Sequence, residues 1–182
     1  MHILVDMDGV LAKFEPRLVS IWQQRYPAEL LIPYEQRRRW DIIEDNPADY
    51  RDRLLEIFTA VGYYRTLDVV EGSQAALAEL KQQGHHVTIC TAPMPGIGSS
   101  LMEKHDWVIE HFGATLAKNM ITTVDKTMIK GDILIDNKPE IKGFYKKPHW
   151  EHIVYDHPYN RHITGQRRIT WDNWKEILPE AV

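Results

Sequence analysis

The chain opens on ILVDMDGVLAKFE, residues 3–15, and this stretch constrains the fold more than any other. Ile3 to Val5 is an apolar run without alternation, which reads as a strand buried on both faces. It ends in Asp6 and, two residues on, Asp8, with Gly9 free to turn the backbone sharply beside a ligand. Two carboxylates at the carboxyl end of a buried strand stand where open α/β sheets bind and transform their ligands.

The rest of the chain supplies the matching elements. Pro16 to Tyr26 reads as a helix with Leu18, Ile21 and Trp22 on one face and proline in its first turn. Tyr50 to Val61 reads as a second, apolar at Leu54, Leu55, Ile57, Phe58 and Val61, with Gly62 behind it. The stretch between them, IPYEQRRRWDIIEDNP, is polar and irregular. From Glu71 the rhythm changes: helix EGSQAALAELKQQG, strand HVTICT (His86 to Thr91), helix LMEKHDWVIEHFG, short strands in MITTV, DILID and HIVYD, and a terminal helix in WDNWKEIL. Strands alternating with helices predict an α/β fold with a doubly wound, mainly parallel sheet covered on both faces. The helical stretch after the first strand breaks the alternation and predicts a small inserted cap. The expected division is a core of residues 1–14 and 70–182 and a helical cap of residues 15–69.

Composition narrows the function. With 43% hydrophobic and 26% charged residues in 182, the chain can build a packed core. A net charge of −4 argues against nucleic acid held on a broad basic surface. The single cysteine, Cys90, excludes an internal disulfide and suits a reducing compartment; inside an apolar strand it reads as a buried small residue. The first residues run straight into the strand without a basic leader, and no apolar run approaches the ~20 residues of a membrane span. The expectation is a soluble cytoplasmic protein with no membrane partner.

Three strand ends carry reactive groups: Asp6-Met7-Asp8, Thr91-Ala92-Pro93 and Asp136-Asn137-Lys138, and Lys104 is expected to open the helix after the second strand. A carboxylate can attack phosphorus and form an aspartyl-phosphate. Facing a dianionic ester it needs charge neutralisation, which Mg²⁺ supplies through oxygen ligands. A threonine hydroxyl and a lysine ammonium can hold the remaining phosphate oxygens. The second aspartate can protonate the leaving oxygen and then deprotonate water. A calcium loop would need Gly and Glu at its sixth and twelfth positions; counted from Asp6 these are Leu11 and Arg17. Taken singly, each of these groups also suits a solvated turn or a helix surface. Their order along the chain is what points to chemistry.

At superfamily level that order resembles the haloacid dehalogenase phosphatases. LVDMDGVLAKFE, IPYEQRRRW, EKHDWVIEHFG, DKTMIKGDILID, PHWEHIV, NRHI and WDNWKEIL resemble, more closely, the 5'(3')-deoxyribonucleotidases, from Ile3 to about Leu178. The resemblance implies a Mg²⁺-dependent phosphatase acting on (deoxy)ribonucleoside monophosphates through an aspartyl-phosphate, with the 5'-phosphate expected and cleavage of the 3'-phosphate left open. It makes Asp6 the nucleophile and a metal ligand, and Asp8 the acid/base with its carbonyl on the metal. Thr91 and Lys104 become the phosphate holders. Phe14 and Trp40 become the aromatic pair around the base, and Asp41 and Ile42 offer backbone contacts to its edge. Ala92 and Lys138 complete the substrate-binding set. Two positions depart from the family: Ala92 replaces a serine, and Asn137 replaces the aspartate that ligates the metal. Asn137 can still coordinate through its oxygen, without charge, and Asp136 is the alternative ligand.

Two other readings accompany this one: a phosphatase of another small phosphate ester, and a non-catalytic nucleotide-binding protein weakened at the metal site by Asn137. A flat aromatic pair favours a base over a sugar, and Asp6, Asp8, Thr91 and Lys104 together favour an enzyme. His149 and His152, with His157 and His162 nearby, read as structural or surface histidines, since cysteine or acidic support for zinc is lacking. Arg37 to Arg39 read as a solvated cap surface. Base preference, sugar preference and phosphate position stay open, as does association into a homodimer.

Overall fold

The computed structural model describes residues 1–178; the last four residues of the expected core segment lie outside the described residues. Six strands, His2–Val5 (β1), His86–Thr91 (β2), Ile121–Thr122 (β3), Ile133–Asp136 (β4), Glu151–Tyr155 (β5) and Arg168–Ile169 (β6), form one sheet in the order β3-β2-β1-β4-β5-β6. Every pairing is parallel. The helices are Phe14–Arg25 (α1), Ile42–Asp45 (α2), Arg51–Thr59 (α3), Ser73–Gln82 (α4), Gly98–Phe112 (α5), Ala114–Lys118 (α6) and Trp174–Ile177 (α7). This is the doubly wound α/β arrangement expected from the alternation. Its strand order reverses between β1 and β4, and such a reversal opens a crevice at the strands' carboxyl ends.

Successive strand residues face opposite ways. Ile3, Val5, Ile89, Ile133, Ile135 and Ile153 enter the larger core, with Leu18 and Trp22 of α1, Leu77 and Leu80 of α4 and Trp107 of α5. Leu4, Cys90 and Leu134 point the other way into a smaller cluster closed by Trp150 and the partly buried Ile121, Ile129 and Ile141. That second face is therefore covered largely by connecting segments. Cys90 is fully buried, as its strand context predicted.

The stretch 12–69, between β1 and α4, begins and ends side by side. Ala12 and Val69 form an antiparallel bridge, flanked by Lys13 N–H to the Asp68 carbonyl and Val70 N–H to the Leu11 carbonyl, both 2.8 Å. Within the segment, Trp22 is fully buried and its ring lies 4.7 Å from those of Tyr26 and Tyr50.

Several boundaries differ from the sequence reading. Helix α1 starts two residues earlier, at Phe14, and α3 is shorter and entered through a 3-10 turn at Ala48–Tyr50. The segment read as irregular contains a 3-10 turn at Tyr34–Gln36 and helix α2, whose first turn is capped by the Asp41 carboxylate accepting from Ile43 N–H. Helix α5 starts at Gly98, so Lys104 lies well inside it and does not open it. The terminal helix is reduced to Trp174–Ile177, and the two-residue β6 has no alternation of its own to announce it. Among the described residues no helix is long and apolar enough to cross a membrane.

Candidate active site

The loops after β1, β2 and β4 converge at the switch point, at the floor of a cavity of about 910 Å³. Asp6 follows β1 directly, and its N–H is fixed by the Ile135 carbonyl of β4 at 2.9 Å. Gly9 turns the chain behind it. Its φ is +77°, and a Cβ there would lie 2.2 Å from Asn137 Nδ2, so both conformation and space require glycine.

Asp6 and Asp8 pair with different lysines. Lys126 Nζ donates to Asp6 Oδ1 at 2.6 Å and to Asp136 Oδ2 at 2.5 Å. Lys104 Nζ donates to Asp8 Oδ2 at 2.6 Å, to the Ala92 carbonyl at 2.7 Å and to Thr91 Oγ1 at 3.2 Å. Both lysines are buried, as are Asp6, Asp136 and Thr91. Charges this deep persist only when paired. Burial raises the Asp6 carboxyl to about 6 against the attraction of Lys126, with Asp136 and Asp8 adding to the rise. Burial alone would depress Lys126, yet Asp136 and Asp6 hold it above the ordinary lysine range. Among the described residues, one oxygen of Asp8, Oδ1, is buried without a hydrogen-bond partner.

The other candidate residues lie around this floor. Phe14, Trp40, Asp41, Ile42, Ala92 and Lys138 all line the cavity. Phe14 packs against Phe58, Tyr63 and Tyr64 at ring separations of 5.6, 5.3 and 6.2 Å. Trp40 is 45% exposed; its indole N–H donates to Asn137 Oδ1 at 3.2 Å, and Lys138 Nζ sits 4.7 Å over its ring. Asn137 Nδ2 in turn donates to the Asp8 carbonyl at 2.9 Å. Asp136 is already engaged through both oxygens, with Lys126 on Oδ2 and Lys138 N–H on Oδ1.

Three features escaped the sequence reading. Lys126 lies in DKTMIKGDILID with nothing local to set it apart; its role comes from a turn after β3 in which the Asp125 carboxylate caps Thr127 N–H at 2.9 Å. Arg37 is 1% exposed, which corrects the solvated-surface reading at that position. It bridges Glu15 Oε2 at 2.6 Å and Asp45 Oδ2 at 2.7 Å and donates to the carbonyls of Arg39 and Trp40. A charged residue in a polar stretch gives no sign of burial when both counter-charges come from other turns of the chain. His157 is structural, as expected, but it belongs to the site wall. It contacts the Gly9 carbonyl through Nε2 at 2.6 Å and Tyr34 Oη through Nδ1 at 2.5 Å. Burial depresses it to about 4, so it is neutral near pH 7, with Nε2 carrying the proton.

Solved structures share this architecture. A haloacid dehalogenase family hydrolase from Deinococcus radiodurans, crystallised with phosphate and sodium, covers 99% of this chain and 98% of its own at TM-score 0.57 and 16% identity. CbbY from Rhodobacter sphaeroides, in complex with phosphate, covers 96% of each at TM-score 0.53 and 15% identity. The fold is that of the haloacid dehalogenase hydrolases. Within it, residues 1–181 match the family model described as "5' nucleotidase, deoxy (Pyrimidine), cytosolic type C protein". A Bordetella pertussis protein is 40% identical over 98% of this chain and 95% of its own length. The human "5'(3')-deoxyribonucleotidase, cytosolic type" is 37% identical over 98% and 93%. The chain belongs to the 5'(3')-deoxyribonucleotidase family and is a phosphoric monoester hydrolase acting on nucleotides.

Proposed function

We propose that this protein hydrolyses (deoxy)ribonucleoside 5'- and 3'-monophosphates through an aspartyl-phosphate on Asp6, with Mg²⁺ as cofactor, in the cytoplasm. The observation that carries the reading is the pairing of Asp6 and Asp8 with two different buried lysines beneath a cavity walled by Phe14 and Trp40. The family description names deoxy and pyrimidine nucleotides, which supports the substrate class.

The residues present fit a hard divalent ion. The Asp6 carboxylate, the Asp8 carbonyl and the Asn137 amide oxygen would all ligate through oxygen, and the Asn137 amide lies beside the Asp8 carbonyl, to which its Nδ2 donates at 2.9 Å. Asp136 is the poorer candidate, since Lys126 and Lys138 N–H occupy its oxygens. Bound there, Mg²⁺ would neutralise phosphate charge and help to align it.

In the proposed reaction a carboxylate oxygen of Asp6 attacks phosphorus and the ester P–O bond breaks. The leaving oxygen takes its proton from Asp8. Asp8, now ionised, takes a proton from water. The resulting hydroxide attacks phosphorus, the P–O bond to Asp6 breaks, and inorganic phosphate leaves. Lys104 and Thr91 hold equatorial phosphate oxygens, and Lys126 keeps Asp6 ionised and oriented. Segment 15–69 acts as the cap, carrying Trp40 over the base side, with Phe14 at its root.

The test is phosphate release from a panel of nucleoside monophosphates and sugar phosphates, with Mg²⁺ and with EDTA. Nucleotide monophosphates should lead the panel and EDTA should abolish release. Preference for sugar phosphates would overturn the substrate reading.

A further inference from the structure

We propose that the Asn137 side chain couples the cation site to the hold on Trp40, because the amide turns its oxygen to Trp40 and its NH₂ to the Asp8 carbonyl, where the cation would bind. The inference rests on the reading of Asp6, Asp8 and Asn137 as Mg²⁺ donors.

The orientation of the Asn137 amide is dictated by its two partners. The Trp40 indole N–H can only donate and the Asp8 carbonyl can only accept. Oδ1 therefore faces Trp40 at 3.2 Å, and Nδ2 faces the Asp8 carbonyl at 2.9 Å. A cation beside that carbonyl needs oxygen from Asn137, and the group pointing there is an NH₂. Bringing Oδ1 round turns the NH₂ towards the Trp40 N–H, so two donors face each other and both hydrogen bonds are given up. The backbone has little freedom to avoid this. The Asn137 carbonyl is held by Asn160 Nδ2 at 2.9 Å, and Gly9 is packed so closely that a Cβ there would meet Nδ2 at 2.2 Å.

A cation thus removes one of two anchors between the 137–138 turn and Trp40, leaving the Lys138 ammonium over the ring. By linkage, whatever holds Trp40 on Asn137 weakens cation binding by the same factor. A carboxylate at this position has two oxygens, one for the indole N–H and one for the cation, and the conflict disappears.

The test is Mg²⁺ affinity by calorimetry for wild type, Trp40→Phe, Asn137→Asp and the double variant, with the Trp40 indole N–H resonance followed by NMR. Trp40→Phe should tighten Mg²⁺ binding about two- to twelvefold in the Asn137 background, the scale of one neutral hydrogen bond, and by less than about twofold beside Asn137→Asp. Saturating Mg²⁺ should shift the Trp40 indole resonance in wild type. Equal effects of Trp40→Phe in both backgrounds, or an unmoved indole resonance, would overturn the coupling while leaving the cation reading intact. Absence of Mg²⁺ binding in all four proteins would overturn both.

Discussion

Lys126 Nζ stands 2.6 Å from Asp6 Oδ1 and carries the buried nucleophile candidate as a paired ion. The same ammonium reaches Asp136 at 2.5 Å, so one cation serves two carboxylates. Lys126→Met would leave both buried without a counter-charge. The variant should lose about 3–5 kcal/mol at pH 7, the usual cost of breaking a buried pair, and its turnover with it. Urea unfolding should show the deficit shrinking at lower pH, as Asp6 protonates. A deficit independent of pH would contradict the pairing.

Asp6 and His157 should drive stability in opposite directions across one pH window in the metal-free protein. Asp6, raised to about 6, keeps a proton in the native state that the unfolded chain loses near its ordinary value of 3.8. Stability therefore falls as pH rises between those values. His157, depressed to about 4, stays neutral where the unfolded chain protonates below 6.5. Stability there falls as pH drops, and each effect amounts to roughly 3 kcal/mol at most. In urea titrations with EDTA, Asp6→Asn should gain on wild type as pH rises through the window, and His157→Gln as it falls. Curves parallel to wild type would remove the corresponding group from this account.

Asp8→Asn keeps the shape of the site and removes the proton donor, so it should bind nucleotide yet turn over about 10²–10⁴-fold more slowly. An unchanged kcat would assign proton transfer to another group.

Trp40→Ala should weaken nucleotides and spare small phosphate esters. Stacking of a base on an aromatic ring is worth about 1–3 kcal/mol, a loss of roughly 5- to 150-fold in kcat/KM. Equal losses for p-nitrophenyl phosphate and a nucleotide would make Trp40 a structural residue.

The sheet was legible because buried parallel strands write themselves as apolar runs: β1, β2, β4 and β5 sit within a residue or two of the reading. Asp6, Asp8, Thr91 and Asn137 were legible because a strand end fixes where a side chain emerges. Lys126 and Arg37 were not, since long cations find their carboxylates through tertiary contacts spanning up to 120 residues. The tie between Trp40 and Asn137, 97 residues apart, is of the same kind. Helix α2 and strand β6, with four and two residues, are too short to establish a period.

The central claim, that Asp6 attacks phosphorus, is tested most directly by trapping. The enzyme is mixed with a nucleoside monophosphate and Mg²⁺, quenched in acid during turnover and treated with borohydride, which reduces an acyl phosphate to an alcohol. The peptide carrying residues 1–13 is then sequenced by mass spectrometry. The account predicts substrate-dependent reduction at Asp6 and none at Asp8. Labelling at Asp8, or an unmodified Asp6 in Asp8→Asn protein that still releases phosphate, would contradict it.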